Sequence, residues 1–360
     1  MNFIFRVFLN ILSLISILII NIIIFYKKKN KKKILFVYLP HLKKKKNYYN
    51  KIFNKIENNF IIYSTLNLSI SRNFYTVKPS YLKFIMGVDF FFSDYVVDKF
   101  TPRSKRVYIH HDIYDTPLVS RNKEKELSKR LLRYNFILIP SVKSLKVFKL
   151  LFKNYKKKPK ILILGEYPKL TSLLKKNIFL RKKGKPTIVI APSGFYGIPK
   201  LSIKDHLQKI IIELLKIDIQ IILRPHPSNR NHKIVKVIEN KFKKINNFKI
   251  DISDDYSKIY SKSSLLITDY SGTAYTYAMY TLNPVIFISL NKNYINKLNY
   301  NSLNYFKDRK KIGLILNNYS KITEKVKYIL KIKKKISNNI NNIKKNYFIN
   351  SNSNNNLYLN

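Results

Sequence analysis

Short apolar runs alternate with longer amphipathic stretches along most of this chain. One series of β-rich runs falls at Ile34–Tyr38, Phe60–Thr65, Val88–Phe92, Val107–Ile109, Phe136–Ile139 and Ile161–Leu164. A second falls at Thr187–Ile190, Ile219–Leu223, Phe248–Asp251, Leu265–Thr268 and Val285–Ile288. Runs this short and continuously apolar predict strands buried on both faces of a parallel sheet. Between them lie stretches of helical spacing. In Lys204–Lys216, for example, Leu207, Ile210, Ile211, Leu214 and Leu215 fall on one face. The alternation predicts an α/β doubly wound fold. The two series are separated by Lys175–Pro186, whose RKKGKP reads as a basic Gly/Pro linker. The expected organisation is two Rossmann-like lobes, residues 34–180 and 181–336, with a cleft between them. A polar Asn/Lys/Ser-rich tail, 337–360, is expected to be a fraying helix and then disorder. No repeat of solenoid period is visible.

The first residues follow a different pattern. Val7–Tyr26, VFLNILSLISILIINIIIFY, carries no charge and, at about 20 residues, is long enough to span roughly 30 Å of hydrocarbon as a helix. Its apolar region is too long for a secretory signal, only Arg6 precedes it, and no small-x-small cleavage site follows. Lys27–Lys29 and Lys31–Lys33 come directly after it, so the positive-inside rule places the rest of the chain in the cytoplasm. Residues 1–33 are therefore expected to form a single-pass anchor in the cell (inner) membrane, with the lobes on the cytoplasmic side.

Composition narrows the classes. A hydrophobic share of 46% excludes a wholly disordered chain. The absence of cysteine excludes disulfides, zinc-thiolate sites and iron–sulfur clusters. Lys and Arg total 70 against 19 acidic residues, a net charge of +51. Such a charge would suit a nucleic-acid partner or a non-catalytic basic protein of membrane surfaces. The lysines are, however, spread along the whole chain, and Asn, Ile and Tyr are enriched with them, as an AT-rich genome produces. No helix-turn-helix, zinc-finger or RRM signature accompanies them. Nucleic acid is not the expected partner. The charge favours anionic lipid and phosphorylated substrates instead.

In an open α/β sheet, ligands bind beyond the carboxyl ends of the strands, and four segments place candidate chemistry there. In Ile221–Pro227, IILRPHP, Arg224 and His226 leave a strand together between two prolines that restrict the turn. A guanidinium and an imidazole so placed suit a phosphate or pyrophosphate. The plainer alternative is a surface turn. In Leu266–Thr273, LITDYSGT, a strand runs into a tight turn and then a helix. Ser271, Gly272 and Thr273 would offer N–H groups and hydroxyls to an anion, or Asp269 or Ser271 would simply cap the helix. In Tyr108–Pro117, YIHHDIYDTP, His110 and His111 stand beside Asp112 and Asp115. That pattern suits a general base with an orienting carboxylate, or else a structural pair; no third ligand at metal spacing accompanies it. In Ile190–Gly197, IAPSGFYG, Ser193 and Gly194 would admit a phosphate close to backbone.

Taken in order, these segments resemble the CDP-glycerol:poly(glycerophosphate) glycerophosphotransferase family, the teichoic-acid primase and polymerase group. Its Arg-Pro-His-Pro turn is matched by Arg224-Pro225-His226-Pro227, and its Asp-Tyr-Ser-Ser turn by Asp269-Tyr270-Ser271-Gly272. Asn283-Pro284-Val285-Ile286-Phe287 completes that block. Ala191-Pro192-Ser193 is similar to its Ala-Pro-Thr loop, and Gly165-Glu166-Tyr167-Pro168-Lys169 to its Gly-Tyr-Pro-Arg turn, with one residue inserted and Lys for Arg. The likeness covers about residues 105–290. It is loosest at the acceptor-lobe histidine, where His111 is followed by Asp112 rather than Gly, and Thr116-Pro117 comes four residues late.

The resemblance implies a GT-B fold, with an N-terminal acceptor lobe and a C-terminal nucleotide-donor lobe. It implies transfer of glycerophosphate, or a similar alditol phosphate, from a CDP-activated donor to a hydroxyl of a membrane-linked cell-surface glycan or polymer precursor, with release of CMP. His111, with His110 as second choice, would be the base. Arg224, His226, Asp269, Ser271, Gly272, Thr273 and Ser193 would hold the donor. The cationic side chains would stand in place of a metal, and no cofactor is implied. A GT-B glycosyltransferase using a nucleotide sugar is the neighbouring alternative, because one fold serves many chemistries.

Overall fold

The computed structural model describes residues 3–27, 33–39, 49, 52–53, 60–64, 79–110, 112–114, 121–175, 184–297 and 303–349. Every predicted apolar run holds a strand. The first lobe contains β1 (Lys33–Tyr38), β2 (Phe60–Ser64), β3 (Phe90–Ser93), β4 (Lys105–Ile109), β5 (Phe136–Ile139) and β6 (Lys160–Ile163). The second contains β7 (Thr187–Ile190), β8 (Gln220–Leu223), β9 (Phe248–Ile250), β10 (Leu265–Thr268), β11 (Val285–Ile288) and β12 (Gly313–Leu316). Each lobe is one six-stranded sheet, ordered β2-β1-β3-β4-β5-β6 and β12-β11-β10-β7-β8-β9. All neighbours run parallel.

Burial on both faces explains the continuous apolar runs. Along β1, Ile34, Phe36 and Tyr38 enter one buried cluster, while Leu35 and Val37 enter another on the opposite face. Both sides of such a strand must be apolar.

Three elements differ from expectation. β12 was not predicted: it opens on Gly313, which pairs with Val285, and a Cβ there would run into the Val285 carbonyl. With only three apolar residues after a glycine, it carries little strand signal. The amphipathic stretch from Lys204 is not one helix but a 3₁₀ turn, Lys204–His206, followed by an α-helix, Leu207–Leu214. The expected tail from residue 337 is helical as far as Ile349, within a C-terminal helix Lys333–Ile349. Ile336, Ile340 and Tyr347 of that helix are buried, so packing orders a sequence whose composition reads as polar. Residues 350–360 and most of the expected linker, 176–183, lie outside the described residues.

The N-terminal helix spans Phe3–Lys27, and its stretch Asn10–Lys27 is long and apolar enough to cross a membrane. One face, with Ile17, Ile20 and Ile24, is buried, whereas Leu14, Leu18, Ile22 and Phe25 on other faces are exposed. The Asn21 side chain donates to the Phe84 carbonyl and accepts from Met86 N–H, each at 2.9 Å. Its polar atoms are thereby satisfied by the 3₁₀ turn Pro79–Phe84 and the residues just after it.

Candidate active site

Strand order locates a candidate ligand crevice. In the second sheet the chain moves outward from β7 to β9 on one side, and from β10 to β12 on the other. The loops after β7 and β10 therefore diverge, opening the crevice where doubly wound sheets bind ligands. Those loops are the Ala191–Gly197 and Asp269–Thr273 segments.

A buried carboxylate ties the two loops together. Asp269, 2% exposed, accepts Ser193 N–H at 3.0 Å, Ile203 N–H at 3.2 Å and Tyr270 N–H at 2.7 Å. It also accepts the Ser193 hydroxyl. Burial raises the Asp269 pKa, against the downward pull of these bonds. Asp269 and the Ser193 hydroxyl thus form a brace, with their polar atoms turned inward. The Tyr270 hydroxyl accepts Ile198 N–H at 2.6 Å, and a Cβ on Gly197 would collide with it. Only glycine permits that approach.

The β8 turn divides its two cations. Arg224, 9% exposed, forms an ion pair with Asp251 at the end of β9 and donates to the Ser253 carbonyl at 2.9 Å. Its guanidinium lies over the Tyr256 ring at 5.6 Å. Lys169, from the Gly165–Lys169 turn, approaches the same ring at 5.2 Å. His226, by contrast, is exposed. Its Nδ1 accepts Ser228 N–H at 3.3 Å and lies 2.8 Å from Ser228 Oγ. An Nδ1 that accepts a backbone N–H carries no proton, so this bond assigns the proton to Nε2. A Cβ on Gly194 would stand 3.6 Å from His226 Nδ1, so the imidazole faces the loop after β7.

The turn after β10 leads into the donor helix, Thr273–Thr281. Ser271, Gly272 and Thr273 are half-buried at its head. The first N–H groups of a helix lack intrahelical partners and favour an anion. Thr273 Oγ1 is hydrogen-bonded to the Tyr260 hydroxyl at 2.7 Å, while Ser271 Oγ accepts Thr273 N–H at 3.4 Å.

Across the cleft, His110 follows β4 and is 1% exposed. Its Nε2 lies 3.1 Å from the Tyr114 carbonyl; a carbonyl only accepts, so Nε2 is protonated. The ring meets Phe148 edge-on at 5.3 Å. His110 is therefore an interior residue. His111 and Asp115 lie outside the described residues. Burial raises the pKa of the Tyr305 phenol well above its ordinary value, and Asp269 of the donor turn and Asp112 of the first lobe both add to that rise. Among the described residues, no group of three or more His, Asp or Glu side chains is placed to hold a metal.

Sequence reasoning missed Ser228, Tyr256 and Tyr114, and gave Tyr270 no role beyond its place in the Asp-Tyr-Ser-Gly turn. A serine two residues after His226 is a local turn signal. The tyrosines carry none in a chain with 27 of them.

Two doubly wound lobes, with a helix head at the switch point of the second, give the chain a GT-B-like fold. The chain belongs to the CDP-glycerol:poly(glycerophosphate) glycerophosphotransferase family, whose profile matches residues 108–358, more than half its length. It is a CDP-glycerol glycerophosphotransferase-like enzyme. No curated protein matches its sequence. Among solved structures it is similar to the wall teichoic acid polymerase TagF in a form soaked with CDPG: TM-score 0.56 at 17% identity, over 95% of this chain and 93% of that one. It is also similar to the S. aureus MnaA–UDP co-structure, with TM-score 0.55 at 10% identity over 86% and 90%. The Methanocaldococcus jannaschii UDP-GlcNAc 2-epimerase bound to UDP-GlcNAc and UDP gives 0.53 at 14%, over 83% and 92%. At these identities the likeness is one of fold.

Proposed function

We propose that this enzyme transfers glycerophosphate, or a similar alditol phosphate, from a CDP-activated donor to a hydroxyl of a membrane-linked teichoic-acid-type precursor. The observation that carries this reading is that His226 faces Gly194 of the loop after β7, and that Asp269 ties the same loop, through Ser193, to the turn opening the Ser271–Gly272 helix head. His226 Nε2–H and the N–H groups at Ser271 and Gly272 receive the donor pyrophosphate. Arg224 acts from behind, fixing the β8 turn through its ion pair with Asp251, and Lys169 beside it supplies the positive charge. Asp269 and Ser193 brace the loops, and Thr273 completes the helix head.

The acceptor oxygen attacks the β-phosphorus. The bond from that phosphorus to the oxygen bridging to CMP breaks, and CMP leaves with the electron pair. His111, on the first lobe, takes the proton of the attacking hydroxyl. His110, interior and donating to Tyr114, supports that segment instead. Such transfers depend on positioning and on offsetting charge around phosphorus. The N-terminal helix holds the enzyme at the cytoplasmic face of the cell membrane, its exposed apolar face in lipid and the following lysines at anionic headgroups.

Detergent-solubilised full-length protein, screened against CDP-glycerol, CDP-ribitol and UDP-sugars, tests the donor. Release of CMP from a CDP-alditol is the expected result. Release of UDP from a nucleotide sugar, with no CMP, would replace this reading with sugar transfer.

A further inference from the structure

The reaction above leaves one buried contact between the lobes unused. Tyr114, fully buried, ends the segment after β4, and its ring lies flat on Tyr275 of the donor helix, with centroids 3.9 Å apart at 23°. Its hydroxyl donates to Asp308 Oδ2 at 2.9 Å, on a helix, Asn304–Ile312, that belongs to the second lobe. Its carbonyl accepts from His110 Nε2 at 3.1 Å. One side chain and its carbonyl thus join the histidine segment to two elements of the donor lobe.

The contacts continue on both sides. The Tyr275 hydroxyl donates to the Tyr305 carbonyl, and the Tyr305 hydroxyl donates to the Ser271 carbonyl at 3.1 Å. Asp308 is itself held by Lys311 at 2.7 Å and by Lys143 of the first lobe at 3.8 Å. Asn304 Nδ2 donates to the Lys143 carbonyl at 2.8 Å. An unbroken chain of direct contacts therefore runs from His110 through Tyr114, Tyr275 and Tyr305 to Ser271. Its ends are the segment that carries the base and the turn that receives the donor.

We propose that Tyr114 is a positioning residue. By stacking on Tyr275 and bonding Asp308, it sets the distance between His110, the residue before the proposed base, and the donor helix head. It touches no reacting atom. Its effect comes through the histidine segment, and the inference rests on the donor and base roles assigned above. A stacked ring and a bond to a buried carboxylate suit this task because both lose their geometry with small shifts. A misplacement of about 1 Å costs a catalytic site roughly 10²-fold in rate.

The test uses the full-length enzyme with Tyr114→Phe, which keeps the ring and loses the bond, Tyr114→Ala, which loses both, and Asp308→Asn. We expect kcat to fall about tenfold in Tyr114→Phe and about 10²-fold in Tyr114→Ala, with CDP-glycerol affinity within about twofold of the parent. Glycerol phosphate released to water should rise relative to glycerophosphate transferred, because a displaced base no longer selects the acceptor. Tyr114→Phe and Asp308→Asn should be non-additive, since Asp308→Asn weakens, by removing the charge on its acceptor, the same bond that Tyr114→Phe deletes. Hydrogen exchange at residues 110–114, which needs no substrate, should quicken in Tyr114→Phe. The proposal is overturned if Tyr114→Phe and Asp308→Asn both turn over like the parent, or if donor affinity falls in step with kcat. It is also overturned if exchange at 110–114 is unchanged. Should Tyr114→Ala fail to fold, the other two variants decide. A parent that neither binds nor consumes CDP-glycerol, with exchange quickened as expected, would sink the donor assignment and not this contact.

Discussion

The donor turns of the second lobe and the histidine segment of the first are held in different ways. The donor turns brace one another within one sheet. Asp269 ties the loop after β10 to the loop after β7, and Asp251 ties β8 to β9. The histidine segment is held in its own lobe by the His110 N–H bond to the Leu138 carbonyl and by the Phe148 ring, and Tyr114 ties it in addition to the other lobe through its ring and hydroxyl. With the proposed roles, donor binding would be complete within one lobe, whereas proton removal would depend on the register of two. That difference separates residues expected to change affinity from residues expected to change turnover alone.

The largest effect should come from the base. His111→Ala is expected to cut turnover by ~10²–10⁴-fold, the usual worth of a general base, while leaving donor affinity intact. His110→Ala should be milder in rate and worse in stability, because it empties a buried position and frees the Tyr114 carbonyl. The reverse ranking in steady-state kinetics would move the base to His110. A comparable loss, in stability this time, is expected of Asp251→Ala. Removing one partner of a buried ion pair strands the other charge, at a cost of about 3–5 kcal/mol. Chemical denaturation measures it, and a cost below about 1 kcal/mol would mean Arg224 is solvated well enough to reach the donor itself.

Weaker effects sharpen the same comparison. His226→Ala should weaken CDP-glycerol binding about ten- to a hundredfold, as loss of a hydrogen bond to a charged group implies, roughly 1.5–3 kcal/mol. Ser228→Ala should weaken it about two- to tenfold, by removing one ordinary hydrogen bond to the imidazole. Calorimetry showing a greater loss for Ser228→Ala than for His226→Ala would place the serine, not the histidine, on the donor.

What was legible in the sequence follows from how local each signal is. The buried strands were legible because both faces of each are apolar, as Leu35 and Phe36 show on β1. The Arg-Pro-His-Pro and Asp-Tyr-Ser-Gly turns were legible because prolines and small residues directly after a strand are unusual chemistry. The division of labour inside those turns was not. Arg224 is neutralised by a carboxylate on the neighbouring strand, and the Ser193 hydroxyl is consumed by Asp269 from another loop. Both partners arrive through sheet pairing, which neither spacing nor composition displays. The C-terminal helix was obscured for a related reason. Its Asn- and Lys-rich sequence reads as a tail, yet Tyr347 reaches the Tyr114 ring of the first lobe at 5.4 Å.

Paired calorimetry and kinetics on two variants show most directly whether donor capture and proton removal are divided between the lobes. CDP-glycerol affinity and turnover would be measured for the parent, His226→Ala and His111→Ala under one condition. The account predicts that His226→Ala loses affinity about ten- to a hundredfold, with turnover reduced beside it. It predicts that His111→Ala binds donor like the parent and loses turnover by ~10²–10⁴-fold. Equal losses of donor affinity in the two variants would place both histidines on the donor and contradict the separation.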